Sequence, residues 1–151
     1  MCKRPDAAEE IRDVFYDKTN GGADKMEMII GGAYQGKAAY GKKAYPEILW
    51  KNGAELSREE LFKTEGVLNF HEFIRKEMKA GRDTEDLAPE LIQRNPEVIL
   101  VSDEVGYGVV PIDAFDRAYR ERVGRICTEL ASYSKKVVRV VCGIGTVIKN
   151  D

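Results

Sequence analysis

The sequence predicts a three-layer α/β protein, in which a mainly parallel sheet lies between helices. Two observations carry this prediction. Short apolar runs without polar alternation recur along the chain, and such runs are typical of strands that are buried on both faces. Each run is followed by a segment whose apolar residues have helical spacing, as in repeated β–α units.

The first half of the domain begins with a short apolar run, Met26–Ile30, which predicts a strand. A glycine-rich loop follows, and Lys37–Ala44 is predicted to be a helix that ends before Tyr45-Pro46. Ile48–Trp50 is a candidate strand ahead of the turn signal Asn52-Gly53.

A capping box opens the next helix. Ser57 and Glu60 have the spacing at which each side chain satisfies a backbone donor of the other, which predicts a helix over Arg58–Lys63. Val67–Phe70 is predicted to be a buried strand, and His71–Ala80 an amphipathic helix that Gly81 ends.

In the second half, Thr84–Arg94 is predicted to be a helix that stops at Asn95-Pro96. The β-prone run Val98–Ser102 predicts a strand. Asp113–Ser134 is the longest predicted helix, and Val137–Cys142 is the last clear strand. Val147 and Ile148 predict one more strand or a hairpin. The longest helix carries an apolar stripe at steps of three and four: Phe115, Tyr119, Val123, Ile126, Leu130 and Tyr133.

Length and charge limit the function. The chain has 151 residues, which suits one domain with its own core. Charged residues make up 33% and the net charge is −2, so the basic excess of a general nucleic-acid-binding protein is absent. No apolar run approaches the roughly 20 residues of a membrane span, and we expect no signal peptide. We therefore expect a cytoplasmic protein with neither nucleic acid nor membrane as a partner.

Residues 1–25 are predicted to form a helical arm ahead of the main domain, residues 26–151, because Asn20-Gly21-Gly22 interrupts the helical pattern. The three cysteines are dispersed and form no C-x-x-C pair, so neither a disulfide framework nor a zinc site is predicted. His71 is the single histidine, which excludes a multi-histidine metal site. We predict no metal site from these residues.

The loop between the first strand and the first helix nearly fits the phosphate-binding pattern G-x-x-x-x-G-K-[ST]. Such a loop turns its backbone N–H groups inward, and the helix N-terminus favours an anion. Ala38 replaces the hydroxyl residue that ligates magnesium in P-loop enzymes. A plain glycine-rich turn is the alternative, with a solvated lysine. The predicted nucleotide-binding residues are Gly31, Gly32, Ala33, Tyr34, Gln35, Gly36, Lys37 and Ala38.

Two acidic residues, Asp103 and Glu104, follow the fourth strand at its carboxyl end, where open α/β sheets place their ligands. With Lys37 they are the candidate catalytic residues, as a general base or a magnesium-ligand pair. The alternatives are that they cap the turn, or that they pair with Arg117 or Arg120. GTP or ATP is the expected nucleotide, with or without magnesium.

Three segments together resemble one family. They are the glycine loop, Asp103-Glu104-Val105-Gly106-Tyr107-Gly108-Val109-Val110-Pro111, and Tyr119 to Arg125 followed by Gly143-Ile144-Gly145. They are similar to G-G-A-x-x-G-K-S, N-E-V-G-x-G-x-V-P, F-R-D-x-x-G-R and G-I-G of the adenosylcobinamide kinase/adenosylcobinamide-phosphate guanylyltransferase family of cobalamin assembly.

The resemblance implies a RecA-like P-loop fold, a homotrimer and a cobinamide-type corrinoid as a partner. It implies two activities: phosphorylation of the aminopropanol hydroxyl of adenosylcobinamide, and transfer of GMP through a histidine-linked intermediate. It also implies substrate binding by Arg120 and Arg125, although surface ion pairing is an equal alternative. Gly124 in mid-helix is explained by close approach of another helix or a ligand.

The chain departs from the family pattern at three places. It is shorter between the loop and the third strand, where the family carries its histidine, and no histidine stands between residues 37 and 70. Asn69 stands where the family has an acidic residue, and Ala38 where it has serine. Kinase chemistry is therefore favoured over guanylyl transfer, because phosphoryl transfer needs positioning and charge while the covalent route needs a nucleophile. The alternative is a catalytically degenerate nucleotide- or corrinoid-binding relative with a regulatory or assembly role.

Overall fold

The structure is a computed structural model that describes residues 26–105 and 113–151. The predicted arm, residues 1–25, lies outside the described residues, as does most of the glycine-containing segment after Glu104. The described strands are β1 (Glu27–Gly31), β2 (Trp50–Asn52), β3 (Gly66–Leu68), β4 (Ile99–Asp103), β5 (Lys136–Val141) and β6 (Ile144–Asn150). The described helices are α1 (Lys37–Ala44), α2 (Arg58–Leu61), α3 (Phe70–Lys79), α4 (Leu87–Arg94) and α5 (Ala114–Tyr133).

The strands form one sheet in the order β2-β3-β4-β1-β5-β6. Strand β1 pairs in parallel with β4 and with β5, and β3 pairs in parallel with β2 and with β4. Only β6 runs antiparallel, as the second strand of a hairpin with β5. The predicted, mainly parallel sheet is confirmed. The strands β2, β3 and β4, which follow β1 in the chain, lie on one side of it, and β5 and β6 lie on its other side. The strand order therefore changes direction beside β1, which makes this a topological switch point.

Two apolar cores cover the two faces of this sheet and confirm the three layers. Neighbouring residues of β1 point to opposite faces: Met28 belongs to the larger core, beneath α3, α4 and α5, and Ile29 belongs to the smaller core. The smaller core lies beneath α1, where Ala44 contributes to it. Trp50, from the segment predicted to be a strand, is partly buried and packs against this smaller core.

The long helix α5 buries the stripe that the spacing predicts. Tyr119, Val123, Ile126 and Leu130 are buried, and the outer members of the stripe are partly buried against the same core. Close approach of another described helix does not explain Gly124, because no described atom outside its own helix backbone lies within 4 Å of a Cβ placed there. Approach of a ligand stays a prediction. No described helix combines the length and hydropathy that crossing a membrane requires.

Several predicted boundaries were wrong. Helix α4 begins at Leu87 rather than Thr84, which puts Pro89 in the first turn, where a missing N–H breaks no helical hydrogen bond. Strand β2 begins at Trp50 rather than Ile48, because its pairing with β3 starts there. Strand β3 ends before Asn69, because the φ of 55° at Asn69 lies in the left-handed region and not in the strand region. Helix α3 therefore begins at Phe70, one residue before the predicted start at His71.

Candidate functional site

The glycine loop leaves the central strand β1 and enters α1 at the switch point of the sheet. Gly31 has no room for a side chain, because a Cβ there would collide with the carbonyl oxygen of Val140 on β5. Gly36 caps α1 with a φ of 86°, a backbone conformation that glycine adopts without strain. Tyr34 also has a positive φ, 61°, and its side chain is fully exposed. Both pattern glycines thus have a physical reason for their position.

The β5–β6 turn anchors the loop from outside. The backbone N–H of Cys142 donates to Gln35 Oε1 at 2.7 Å, and that of Gly143 donates to the Gln35 carbonyl oxygen at 2.8 Å. Both turn residues have positive φ, 51° and 75°, which directs their N–H groups toward the loop. Cys142 and Gly143 of this turn therefore support the loop, a role that the sequence did not reveal.

Lys37 lies over the loop that precedes it. Its side chain is 7% exposed, and Nζ donates to the carbonyl oxygen of Gly32 at 2.7 Å. The same Nζ lies 2.6 Å from Oδ1 of Asp103, at the end of β4. Because Gly31 and Asp103 are register partners on β1 and β4, the strand pairing itself brings the ammonium group and the carboxylate together. Two of the three predicted catalytic residues are in direct contact.

His71 joins this pair from the first turn of α3. Its Nδ1 accepts the backbone N–H of Asp103 at 3.0 Å, and its Nε2 lies 3.3 Å from Oδ2 of the same residue. The hydroxyl of Tyr119 donates to the carbonyl oxygen of His71 at 3.2 Å. The sequence analysis placed His71 only at the start of a helix after a predicted strand, and it missed this contact.

Burial governs the titration of this cluster. Desolvation by burial lowers the pKa of His71, and the positive charge of Lys37 lowers this pKa further. The negative charges of Asp103 and Glu72 raise the pKa, but the effect of burial is larger. The imidazole is therefore neutral at pH 7, because its pKa lies below the ordinary 6.5. Burial likewise raises the pKa of the Tyr119 hydroxyl, which stays protonated as a donor.

Glu104 is held by an arginine from another strand. Arg139 on β5 contacts both of its carboxylate oxygens, at 2.9 Å and 3.2 Å. The backbone N–H of Glu104 donates to the Gly31 carbonyl oxygen at 2.7 Å, which ties it to the loop. Glu104 is thus adjacent to the site, but its carboxylate is paired with a partner that the sequence did not suggest.

The donor atoms near the loop do not match the magnesium anchor of a P-loop enzyme. Ala38 has no hydroxyl. Asn69 is exposed, and its side-chain Nδ2 donates to Asn52 Oδ1 at 3.4 Å. Asp103 and Glu104 are both ion-paired with cationic side chains. Within residues 26–105 and 113–151, no three histidine, cysteine or acidic side chains are grouped so that they could hold a metal ion.

Arg120 and Arg125 lie along α5, in an open groove beside α4. Arg125 is exposed and pairs with Glu121, one turn earlier, at 2.6 Å. Both arginines line this groove together with Gly124 and Ile92. Arg125 is eleven residues into a helix that starts near the carboxyl edge, or about 17 Å along its axis. The structure therefore does not bring Arg125 to the glycine loop of its own chain.

A glycine loop from the central strand, a lysine over it and an acidic residue at the end of the neighbouring strand define a protein of the P-loop class. Residues 55–148 match a sequence model of the family described as cobinamide kinase / cobinamide phosphate guanyltransferase. This match covers more than half of the chain, and the chain belongs to that family. The match begins after the glycine loop, so the loop and Lys37 are observations separate from it, whereas Asp103 lies within the matched residues.

Two curated relatives carry the name bifunctional adenosylcobalamin biosynthesis protein CobU. The proteins of Escherichia coli and of Salmonella typhimurium are each 45% identical to this chain over 58 residues. The aligned stretch covers 38% of this chain and 32% of each relative. The chain thus aligns with about a third of the length of the curated relatives it matches.

Proposed function

We propose that the chain is a nucleotide-dependent transferase of the cobinamide kinase type, with a role in cobalamin biosynthesis. It binds ATP or GTP at residues 31–38 and transfers a phosphoryl group to a hydroxyl of a cobinamide-type corrinoid. The observation that carries this proposal is the Lys37 ammonium group, held over the glycine loop by Gly32 and Asp103. Family membership supports the choice of acceptor.

The chemistry asks little of the protein beyond position and charge. Loop N–H groups and the α1 N-terminus bind the outer phosphates, and Lys37 exchanges its contact with the Gly32 carbonyl for phosphate oxygens. The acceptor oxygen forms a bond to the terminal phosphorus while the bond from that phosphorus to the nucleoside diphosphate breaks. Asp103, partly exposed beside Lys37, accepts the hydroxyl proton.

Guanylyl transfer is less well supported. A covalent GMP intermediate needs an imidazole nitrogen with a free lone pair beside the phosphates. In His71, Nδ1 accepts the Asp103 N–H, so in the neutral ring Nε2 carries the proton. Neither nitrogen of the chain's single histidine is available as a nucleophile in this arrangement.

A second candidate is a relative that binds nucleotide or corrinoid without turnover, in a regulatory or assembly role. Ala38 and Asn69 favour it, because neither provides the group that would ordinarily anchor magnesium. We also propose a homotrimer, on the family resemblance alone, which light scattering after size-exclusion chromatography tests. The dispersed cysteines support a cytoplasmic location.

Two measurements separate these candidates. Calorimetric titration with GTP and ATP, each with and without magnesium, should give binding under the first candidate and under the nucleotide-binding form of the second. Absence of binding to both nucleotides contradicts these two and leaves only a corrinoid-binding relative. Incubation with nucleotide and adenosylcobinamide should then produce a corrinoid heavier by one phosphoryl group. Nucleotide binding without that product would support the non-catalytic candidate.

A further inference from the structure

His71 is a buried polar residue at the centre of the candidate site that the proposed chemistry does not use. It is 6% exposed, and its ring lies between the end of β4 and the first turn of α3. The side chain has two polar contacts, Nδ1 with the Asp103 N–H and Nε2 beside the Asp103 carboxylate, and the backbone carbonyl accepts from the Tyr119 hydroxyl. A residue that only filled space would need none of these polar contacts.

The hydrogen bonding fixes the tautomer of the ring. A backbone N–H is always a donor, so Nδ1 must be the acceptor and the proton of the neutral ring sits on Nε2. That N–H group lies 3.3 Å from Oδ2 of Asp103, whose other oxygen, Oδ1, pairs with Lys37. The carboxylate thus has the neutral Nε2–H group close to one oxygen and the ammonium group of Lys37 on the other.

The charged and titratable neighbours of the ring favour this arrangement. Asp103 on β4 and Lys37 at the start of α1 face it from other elements, and Tyr119 approaches from α5. On its own helix, Glu72 has Oε1 3.7 Å from Nε2. Burial keeps the ring neutral at pH 7, so it orients Asp103 by its N–H dipole without neutralising the carboxylate that Lys37 needs.

We propose that His71 is a positioning residue: in its Nε2–H form it holds the Asp103 carboxylate in the orientation that keeps the Lys37 ammonium group over the glycine loop. The expected effect of His71 on nucleotide binding rests on the proposed function. It assigns His71 a role in the noncovalent site, as an alternative to the nucleophile that the family carries elsewhere in the chain.

The contact itself is measured without nucleotide. Because His71 is the single histidine, the imidazole signals in a long-range ¹H–¹⁵N correlation spectrum belong to one ring. At pH 7.5 (~1 unit above the ordinary histidine pKa), the spectrum should show the Nε2–H tautomer, and Asp103→Asn should shift the Nε2 signal. The Nδ1–H tautomer, or an Nε2 signal that Asp103→Asn leaves in place, would overturn the inference.

Two substitutions then test the consequence. In His71→Asn the side-chain oxygen can still accept the Asp103 N–H, but no donor reaches the carboxylate. In His71→Gln the longer amide puts an N–H near the position of Nε2. We expect His71→Asn to weaken GTP binding about tenfold and His71→Gln to restore affinity to within about threefold of wild type. Equal losses in the two variants would refute positioning through Nε2.

Failure of the inference and failure of the proposed function are distinguishable. Wild-type protein that binds neither GTP nor ATP contradicts the function, while the imidazole spectrum still tests the contact. Thermal unfolding of both variants, with Lys79→Ala on the exposed end of α3 as a control, shows whether they are folded. If neither variant folds, the wild-type spectrum is recorded before and after addition of GTP. An Nε2 signal that GTP shifts supports the proposal, and an Nε2 signal that GTP does not shift overturns it.

Discussion

Replacement of Lys37 tests the glycine loop most directly. Its side chain is 7% exposed, so the ammonium group acts with little competition from water. A hydrogen bond to a charged group contributes about 1.5–3 kcal/mol, which corresponds to a roughly ten- to hundredfold change in Kd. We therefore expect Lys37→Ala to weaken binding of GTP and of ATP at least about tenfold.

The assay is calorimetric titration of each nucleotide, with and without magnesium. Lys37→Met separates charge from packing, because it keeps methylene groups beside Gly31, where a Cβ added to the glycine would lie 3.3 Å from Lys37 Cδ. Lys43→Ala, in the exposed last turn of the same helix, removes an equal charge away from the loop. Thermal unfolding of all variants excludes loss of the fold as the cause.

Two results would refute the reasoning. If Lys37→Ala binds GTP and ATP as tightly as wild type, the loop does not bind phosphate through this lysine. If Lys43→Ala loses as much affinity as Lys37→Ala, the effect reflects overall charge and not a specific contact. Loss in Lys37→Ala but not in Lys37→Met would assign the effect to packing over Gly31.

Four further outcomes are expected. If the Asp103 carboxylate takes the proton from the substrate hydroxyl, Asp103→Asn should lower turnover about a hundredfold or more, with a smaller change in nucleotide Kd. Unchanged turnover contradicts that role. Removal of magnesium with EDTA should change nucleotide affinity by less than about tenfold, because Ala38 lacks a hydroxyl and both nearby carboxylates are ion-paired; a larger loss would reveal an unrecognised metal site. Incubation with GTP and magnesium should leave the intact mass unchanged, and a GMP mass that vanishes in His71→Ala would make His71 a nucleophile. Stability to denaturant should fall as the pH drops below 6.5 toward the lowered pKa of folded His71, because the unfolded state takes up the proton first; His71→Gln should reduce this dependence, and a flat wild-type profile between pH 7 and about 5 would contradict it.

The pairing of Lys37 with Asp103 was within reach of the sequence. Both residues follow apolar runs that read as parallel strands, and the carboxyl ends of parallel strands meet at one edge of the sheet. Once β1 and β4 are neighbours, their register brings the two residues together. The family resemblance located the same two segments by motif, so pattern and topology agree on this part of the site.

The role of His71 was not predictable from spacing alone. Its contact with Asp103 spans 32 positions of the chain and depends on β3 lying next to β4. A usable signal was present: His71 stands just after a predicted strand, the same kind of position that made Asp103 a candidate. The Arg139–Glu104 pair and the Gln35–Cys142 contact also join distant segments, and neither partner carries a local motif that indicates the other.

The sheet order separates the contacts of the site from the edge of the sheet. The segment where the resemblance implies a shorter chain lies between the glycine loop and β3, and it leads through β2, which forms one edge of the sheet. The loop depends on other parts of the chain: Gly31 packs against Val140, Gln35 is bound by the β5–β6 turn, and Lys37 meets Asp103 on β4. All of these contacts lie at β1 and its neighbours. The resemblance implies that the family carries its histidine in this edge segment, and none of the contacts around the loop depends on it. This is the physical reason to propose that nucleotide binding persists without guanylyl transfer.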